Sequence, residues 1–264
     1  MSKHYTVQTS PEAQEAGAVA LAVASLPESY AHASTTADVH VINGRPGWTG
    51  QALEAIDAGA RGIVVVNPAA ESVEQLQQAA NAGGTAIVID QRWASNPAAA
   101  GAEDAVRTMA GRAALLDSVA TAPAGSDAGA LLADHLAAVV RLTGPLERFR
   151  LVNRGAHGYT VSAQLANGAP TALQGIVSSA RPAGVHINLL TDDGGACVAL
   201  PEPVAAWPAT VTVTGPQGEL LLPTLYESAH RATWRRLKEH LDAGTAPSDL
   251  DRFAVLTESL SALS

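Results

Sequence analysis

The sequence predicts an α/β protein whose second half is α+β: a truncated Rossmann-like parallel sheet followed by an open, mainly antiparallel sheet domain. Three observations carry this. Over residues 37–90, short strands that are apolar throughout alternate with helical segments, the pattern of a parallel sheet covered by helices on both faces. Over residues 146–220, short alternating strands are separated by Asn-Gly, Asp-Gly-Gly and Pro-Gln-Gly turns, the pattern of an antiparallel sheet. Finally, 264 residues with 47% hydrophobic and 16% charged side chains are enough for two cores, the reverse of a disordered composition.

The elements follow in order. ADVHVIN (37–43) is short and β-branched, GRPGWTG (44–50) supplies turn residues, and QALEAIDAGA (51–60) has helical spacing before a glycine stop. GIVVVNP (62–68) is an apolar run closed by Pro68, then come a helix through SVEQLQQAANAGG (72–84) and the strand AIVID (86–90), giving consecutive right-handed βαβ units. Residues 101–143 read as Ala-rich and helical, with Pro123–Asp127 as a break between two helices. After Gly144-Pro145 come the strand-like stretches FRLVNRG, YTVSAQLA, ALQGIVSS, HINLLT, ACVAL and ATVTVTG. A final amphipathic segment, residues 226–244, places Trp234, Leu237 and Leu241 at helical spacing, with Arg235, Arg236 and Lys238 as a solvated face. The expected domains are residues 1–122 and 123–264, the last helix packing back on the first.

Composition narrows the function. A net charge of −9, without a Lys/Arg run, gives no long-range attraction for a phosphate backbone or an anionic membrane, so neither nucleic acid nor membrane is an expected partner. Cys197 is the single cysteine, which excludes an intrachain disulfide and a multi-cysteine zinc site and fits a reducing compartment. The N-terminus has no basic segment leading into an apolar stretch, and no apolar run reaches the ~18 residues of a membrane span. The expected location is the cytoplasm.

A parallel sheet of this type raises the question of a phosphate loop, because dinucleotides bind where glycines let the backbone approach a pyrophosphate at a helix N-terminus. Neither GxGxxG nor GxxxxGK[ST] occurs. The nearest segment runs from Asn43 and Gly44 to Gly50, with Pro46 and Trp48 obstructing close approach; Asn43, Gly44 and Trp48 are its cofactor-binding candidates if a nucleotide is bound. Trp48 and Trp93, at predicted strand ends, form either a stacking platform or a cover for the sheet edge. His135, in LLADHLAAVVRL, is either a general acid or base or a buried histidine satisfied by its neighbours. The histidines are scattered without metal-ligand spacing, His186 alternates with apolar neighbours as a packing residue would, and Asp192-Asp193 precedes two glycines as a turn.

Together, ADVHVINGRPGWTGQALEAIDAGARGIVVVNPAAESVEQLQQAANAGG and AIVIDQRWASNPA resemble the glucose-fructose oxidoreductase, inositol dehydrogenase and MocA family (Gfo/Idh/MocA) in order and spacing. Asp57-Ala-Gly59 matches the family's Ala-Gly helix end, Val66-Asn67-Pro68 its Glu-Lys-Pro, and Arg92 with Pro97 its Arg and Pro. LLADHLAAVVRLTGPLERF resembles its helix into the substrate domain, and ATVTVTGPQGELLLP its closing hairpin. The resemblance spans roughly residues 37–240 and implies a nicotinamide fold acting on sugars or cyclitols, in homo- or hetero-oligomers. It also marks departures. The strand and GxGxxG that open the family are missing; residues 5–8 align with its second strand, Thr9 falling where an acidic ribose ligand is frequent, and a first unit upstream of Met1 would account for the same gap. The catalytic lysine falls on Asn67. His135 is retained, but the Asp four residues before it falls on Leu131.

The leading expectation is therefore a degenerate homologue: a ligand-binding, regulatory or accessory subunit, a pseudoenzyme without a cofactor, which pairs with itself or with a complete family member. The alternatives are an NAD- or NADP-dependent sugar or polyol oxidoreductase with an atypical loop, and a lyase or isomerase; Asn67, Arg92 and His135 are the catalytic candidates in either case.

Overall fold

The computed structural model describes residues 4–33, 37–202 and 207–263, which divide into two compact units: one of residues up to Gln91 together with Ala229–Thr257, and one of Arg92–Ser228 with the last residues from Glu258. The division falls at Gln91/Arg92, where the sequence pattern had suggested a boundary after residue 122.

The first unit is built on a five-stranded, wholly parallel sheet of β1 (Tyr5–Thr9), β2 (Tyr30–His32), β3 (Val39–Asn43), β4 (Gly62–Val66) and β5 (Ala86–Asp90), in the order β2-β1-β3-β4-β5. β4 and β5 are buried at every position, which is why they read as continuous apolar runs. Helices α3 (Trp48–Asp57) and α4 (Glu74–Gly83) connect the later strands; α1 (Pro11–Ala16) and α2 (Val19–Ala24) join β1 to β2. One face of the sheet, with Val7, Val39, Val41, Val64, Val66 and Val88, packs on Trp234, Leu237 and Leu241 of α7 (Ala229–Ala243). Tyr30 lies edge-on to Trp234 at 4.9 Å, and its hydroxyl donates to the Trp234 carbonyl.

This sheet corrects the reading of the N-terminus. β1 is not the family's second strand: it lies between β2 and β3 and runs parallel to both, the place of the first strand of a doubly wound sheet. The opening βα unit is present in contracted form, with two six-residue helices and a three-residue β2. The solvated face expected on α7 is also partly occupied. Arg236 pairs with Asp249, the first residue of α8 (Asp249–Ser261), and Lys238 is buried, pairs with Asp242 and lies over the Tyr5 ring.

The second unit holds an eight-stranded sheet in the order β13-β12-β11-β10-β6-β9-β8-β7, from β6 (Leu115–Ala122), β7 (Leu146–Gly155), β8 (Gly158–Leu165), β9 (Pro170–Val177), β10 (Gly184–Leu190), β11 (Gly195–Pro201), β12 (Thr210–Gly215) and β13 (Gly218–Leu221). Every pairing is antiparallel except β6 with β9. Helices α5 (Pro97–Ala110) and α6 (Ala128–Thr143) cover one face, clamped by Glu103, which pairs with Arg107 and with Arg141 of α6. The other face carries alternate residues such as Gln174, His186 and Cys197, all exposed, so His186 does not pack in the core. β6 corrects the helical reading of residues 101–143: Leu116, Ser118 and Ala120 point inward at period two, a strand signal muted by its small residues. Among the described residues, no helix is long and apolar enough to cross a membrane.

Candidate functional site

In an open doubly wound sheet, ligands bind outside the carboxyl ends of the strands where the strand order reverses, here around the ends of β1 and β3. A pyrophosphate there needs free N–H groups at the first helix. In this chain those groups are taken. Pro11 has no N–H, the Ala13 N–H donates to Ser10 Oγ at 3.2 Å, and the Gln14 N–H donates to the Ser10 carbonyl at 2.9 Å. The Glu12 carboxyl is held below its ordinary pKa by its own backbone N–H first and by the Ser10 hydroxyl second. Ser10 thus caps α1, and Glu12 places a carboxylate in its first turn.

The next helix repeats the arrangement. The Glu71 carboxylate receives the Gly47 N–H, the Thr49 N–H at 3.3 Å and the Thr49 hydroxyl at 2.8 Å, which caps the N-terminus of α3. Both helix N-termini that follow β1 and β3 therefore carry a glutamate of the chain itself. Neither glutamate stood out in the sequence, although Ser10-Pro11-Glu12 is a helix-start signature.

The three cofactor-binding candidates have structural tasks. The Asn43 amide donates to the Glu12 carbonyl at 3.2 Å and its Oδ1 accepts from the Arg45 N–H at 3.2 Å, joining α1 to the β3–α3 turn. Gly44 is pressed against the turn after β4, where an added Cβ would lie 2.2 Å from Pro68 Cα. Trp48 is fully buried, edge-on to Phe253 at 5.6 Å, with its indole N–H donating to the Ala69 carbonyl at 2.9 Å. Trp93 is fully buried as well, so neither tryptophan is a stacking platform.

Of the catalytic candidates, Asn67 and His135 lie in different units. Asn67 is exposed just beyond β4 with φ of 48°, a left-handed position that Asn tolerates better than most residues; its N–H donates to the Asp90 carbonyl. Nearby, Asp90 accepts from the Thr233 hydroxyl at 3.2 Å and meets His230 Nδ1 at 2.6 Å, fixing α7 to the end of β5.

His135 is fully buried. Its Nε2 lies 2.6 Å from Ser118 Oγ, which donates to the His186 carbonyl, and its Nδ1 lies 2.8 Å from the Tyr159 hydroxyl. These bonds are consistent with a neutral ring that donates from Nε2 to Ser118 and accepts at Nδ1 from Tyr159. Burial lowers its pKa to about 3. Both ring nitrogens are bonded to hydroxyls of the chain itself, and His135 organises the core beneath α6. Gly175 makes room for this, since a Cβ there would stand 2.1 Å from the Tyr159 ring.

Arg92 is engaged through both edges of its guanidinium. It forms a fork with Glu202, lies 3.9 Å from Asp134 and stacks over the Trp93 ring at 4.8 Å. Burial raises the Asp134 carboxyl to about 6, against the lowering effect of Arg92. Among the described residues, no group of three His, Cys, Asp or Glu is placed to hold a metal.

The chain has the fold of the Gfo/Idh/MocA-type oxidoreductases, a Rossmann-like parallel sheet with a separate mixed sheet. No family model matches the sequence, and no curated protein matches it. Among solved structures, the UDP-N-acetylglucosamine 3-dehydrogenase GnnA from Acidithiobacillus ferrooxidans is similar at 13% identity, covering 99% of this chain and 97% of that one, with a TM-score of 0.71. The WlbA dehydrogenase from Bordetella pertussis, in complex with NADH and UDP-GlcNAcA, is similar at 12% identity over 99% and 95% of the two chains, with a TM-score of 0.70. The 3-ketoreductase KijD10 from Actinomadura kijaniata, in complex with TDP-benzene and NADP, is similar at 13% identity over 99% and 97%, with a TM-score of 0.69. At these identities the likeness is one of fold.

Proposed function

We propose that this protein is a non-dehydrogenase homologue of the Gfo/Idh/MocA oxidoreductases, a ligand-binding, regulatory or accessory subunit that does not hold a nicotinamide dinucleotide in the usual crevice. The Ser10 cap and the Glu12 carboxylate in the first turn of α1, with the capping of α3 by Glu71, carry this reading. A pyrophosphate brought to these ends would meet carboxylates and find the backbone donors already paired. Asn67 in place of a lysine and the sealed imidazole of His135 support the same view, because each removes a proton-transfer group. The ligand is a sugar or cyclitol-like molecule, and the working form is a cytoplasmic homo-oligomer or a hetero-oligomer with a complete family member, joined through the open sheet face.

The cofactor complexes of WlbA and KijD10 favour a second reading, an NAD(P)-dependent sugar or polyol oxidoreductase with an atypical loop. A titration with NADH and NADPH, followed by nicotinamide fluorescence and tryptophan quenching, separates the two. The expected result is no saturation up to millimolar cofactor. Saturable binding at micromolar concentrations would overturn the proposal and direct attention to sugar and polyol oxidation.

A further inference from the structure

At the amino ends of β4 and β5, opposite the carboxyl ends where a dinucleotide would bind, the first unit contains a cavity of about 300 Å³. Three helices finish on its wall. α3, α4 and α7 are each followed or capped by a glycine in the left-handed region, Gly59, Gly84 and Gly244, with φ of 89°, 64° and 64°. A Cβ built on any of the three would touch nothing within 4 Å, so the space beside these helix ends is open.

The negative ends of three helix dipoles face one space, where the carbonyls of Ala55, Ile56, Ala80 and His240 accept N–H groups from the turns that follow, and a carbonyl oxygen offers two lone pairs. Ile56 and Leu241 supply an apolar wall. His240 adds a polar atom: its Nδ1 is bonded to Thr245 Oγ1 at 2.9 Å, and in the tautomer with the proton on Nδ1 its Nε2 lone pair is an acceptor. Among the described residues, Arg61 is the one guanidinium or ammonium on the lining, and its charge is offset, since it pairs with Asp38 at 3.5 Å and lies over the Tyr5 ring at 4.9 Å. The balance favours a positive guest with a short hydrocarbon body, in a chain of net charge −9.

We propose that this cavity binds an alkylammonium group, the nitrogen against the helix carbonyls and His240 and the carbon chain along Ile56 and Leu241. The site lies away from the strand ends on which the functional reading rests, so either can fail without the other.

The test is a titration of the full chain with butylamine, butanol and butyrate, followed by amide and imidazole chemical shifts. Butylamine is expected to shift Gly59, Gly84, Gly244 and His240 with millimolar saturation. In Thr245→Lys, which brings its own ammonium to the lining from an exposed position, its binding is expected to weaken about tenfold, with the amide spectrum otherwise retained. Equal binding of butanol would overturn the charge argument, and tighter binding of butyrate would show that Arg61 governs the site. Absence of saturation with butylamine, or an unchanged response in Thr245→Lys, would overturn the assignment.

Discussion

Replacing Gly44 by alanine is expected to destabilise the first unit by about 3 kcal/mol or more, a cost set by overpacking against backbone that cannot move aside. The new methyl would stand 2.2 Å from Pro68 Cα, 2.5 Å from Pro68 N and 2.6 Å from the Asn67 carbonyl carbon. The two turns are also joined on both sides of Gly44: its N–H donates to the Val66 carbonyl at 2.8 Å, and the Ala69 N–H donates to its carbonyl at 2.6 Å. Relief therefore requires the turn after β3 and the turn after β4 to separate, and with them the Trp48 bond to Ala69. Urea unfolding of the parent and the variant measures the difference. A phosphate-loop glycine would behave otherwise, since its loss impairs ligand approach before it impairs the fold. A Gly44→Ala protein of unchanged stability would refute a packing role for the glycine-rich segment.

The parallel strands were legible because burial on both faces leaves no room for polar alternation, as in GIVVV and AIVID. The antiparallel strands were legible from their turns. What escaped was set by pairing across long separations. β1 acquires its central place only through its neighbours β2 and β3, which a stretch such as YTVQT does not announce, and β6 looks helical by composition until it is placed between β9 and β10. At the candidate site, the absence of a glycine loop was visible, but its replacement was not. Glu71 reaches α3 from the other side of β4, and Ser118 and Tyr159 reach His135 from strands distant in sequence. A lone histidine on a helix carries no sign of whether its partners will be protein or ligand.

Asp134→Asn is expected to stabilise the protein by about 2 kcal/mol at pH 8 and to lose that advantage on acidification to about pH 4. Asp134 is an acid whose pKa in the fold, about 6, lies above its unfolded value of 3.8, because burial outweighs Arg92 at 3.9 Å. The folded state therefore disfavours the ionised form. The penalty is full above pH 6 and vanishes below pH 3.8, and its side chain at 24% exposure retains most of it. His135 works in the opposite sense. With a pKa of about 3 in the fold against 6.5, it stays neutral while the unfolded chain takes up a proton, so its contribution is complete above pH 6.5 and is lost as the pH falls toward 3. Between pH 6 and 4 the two slopes, each of about 1.4 kcal/mol per pH unit, oppose one another in the parent, whereas the variant keeps only that of His135. Chemical unfolding across this range should show the variant losing stability faster on acidification than the parent. If Asp134→Asn were instead less stable than the parent at pH 8, the ion pair with Arg92 would outweigh the burial of the carboxylate, and the cluster of Arg92, Asp134 and Glu202 would have to be read as a net stabilising network.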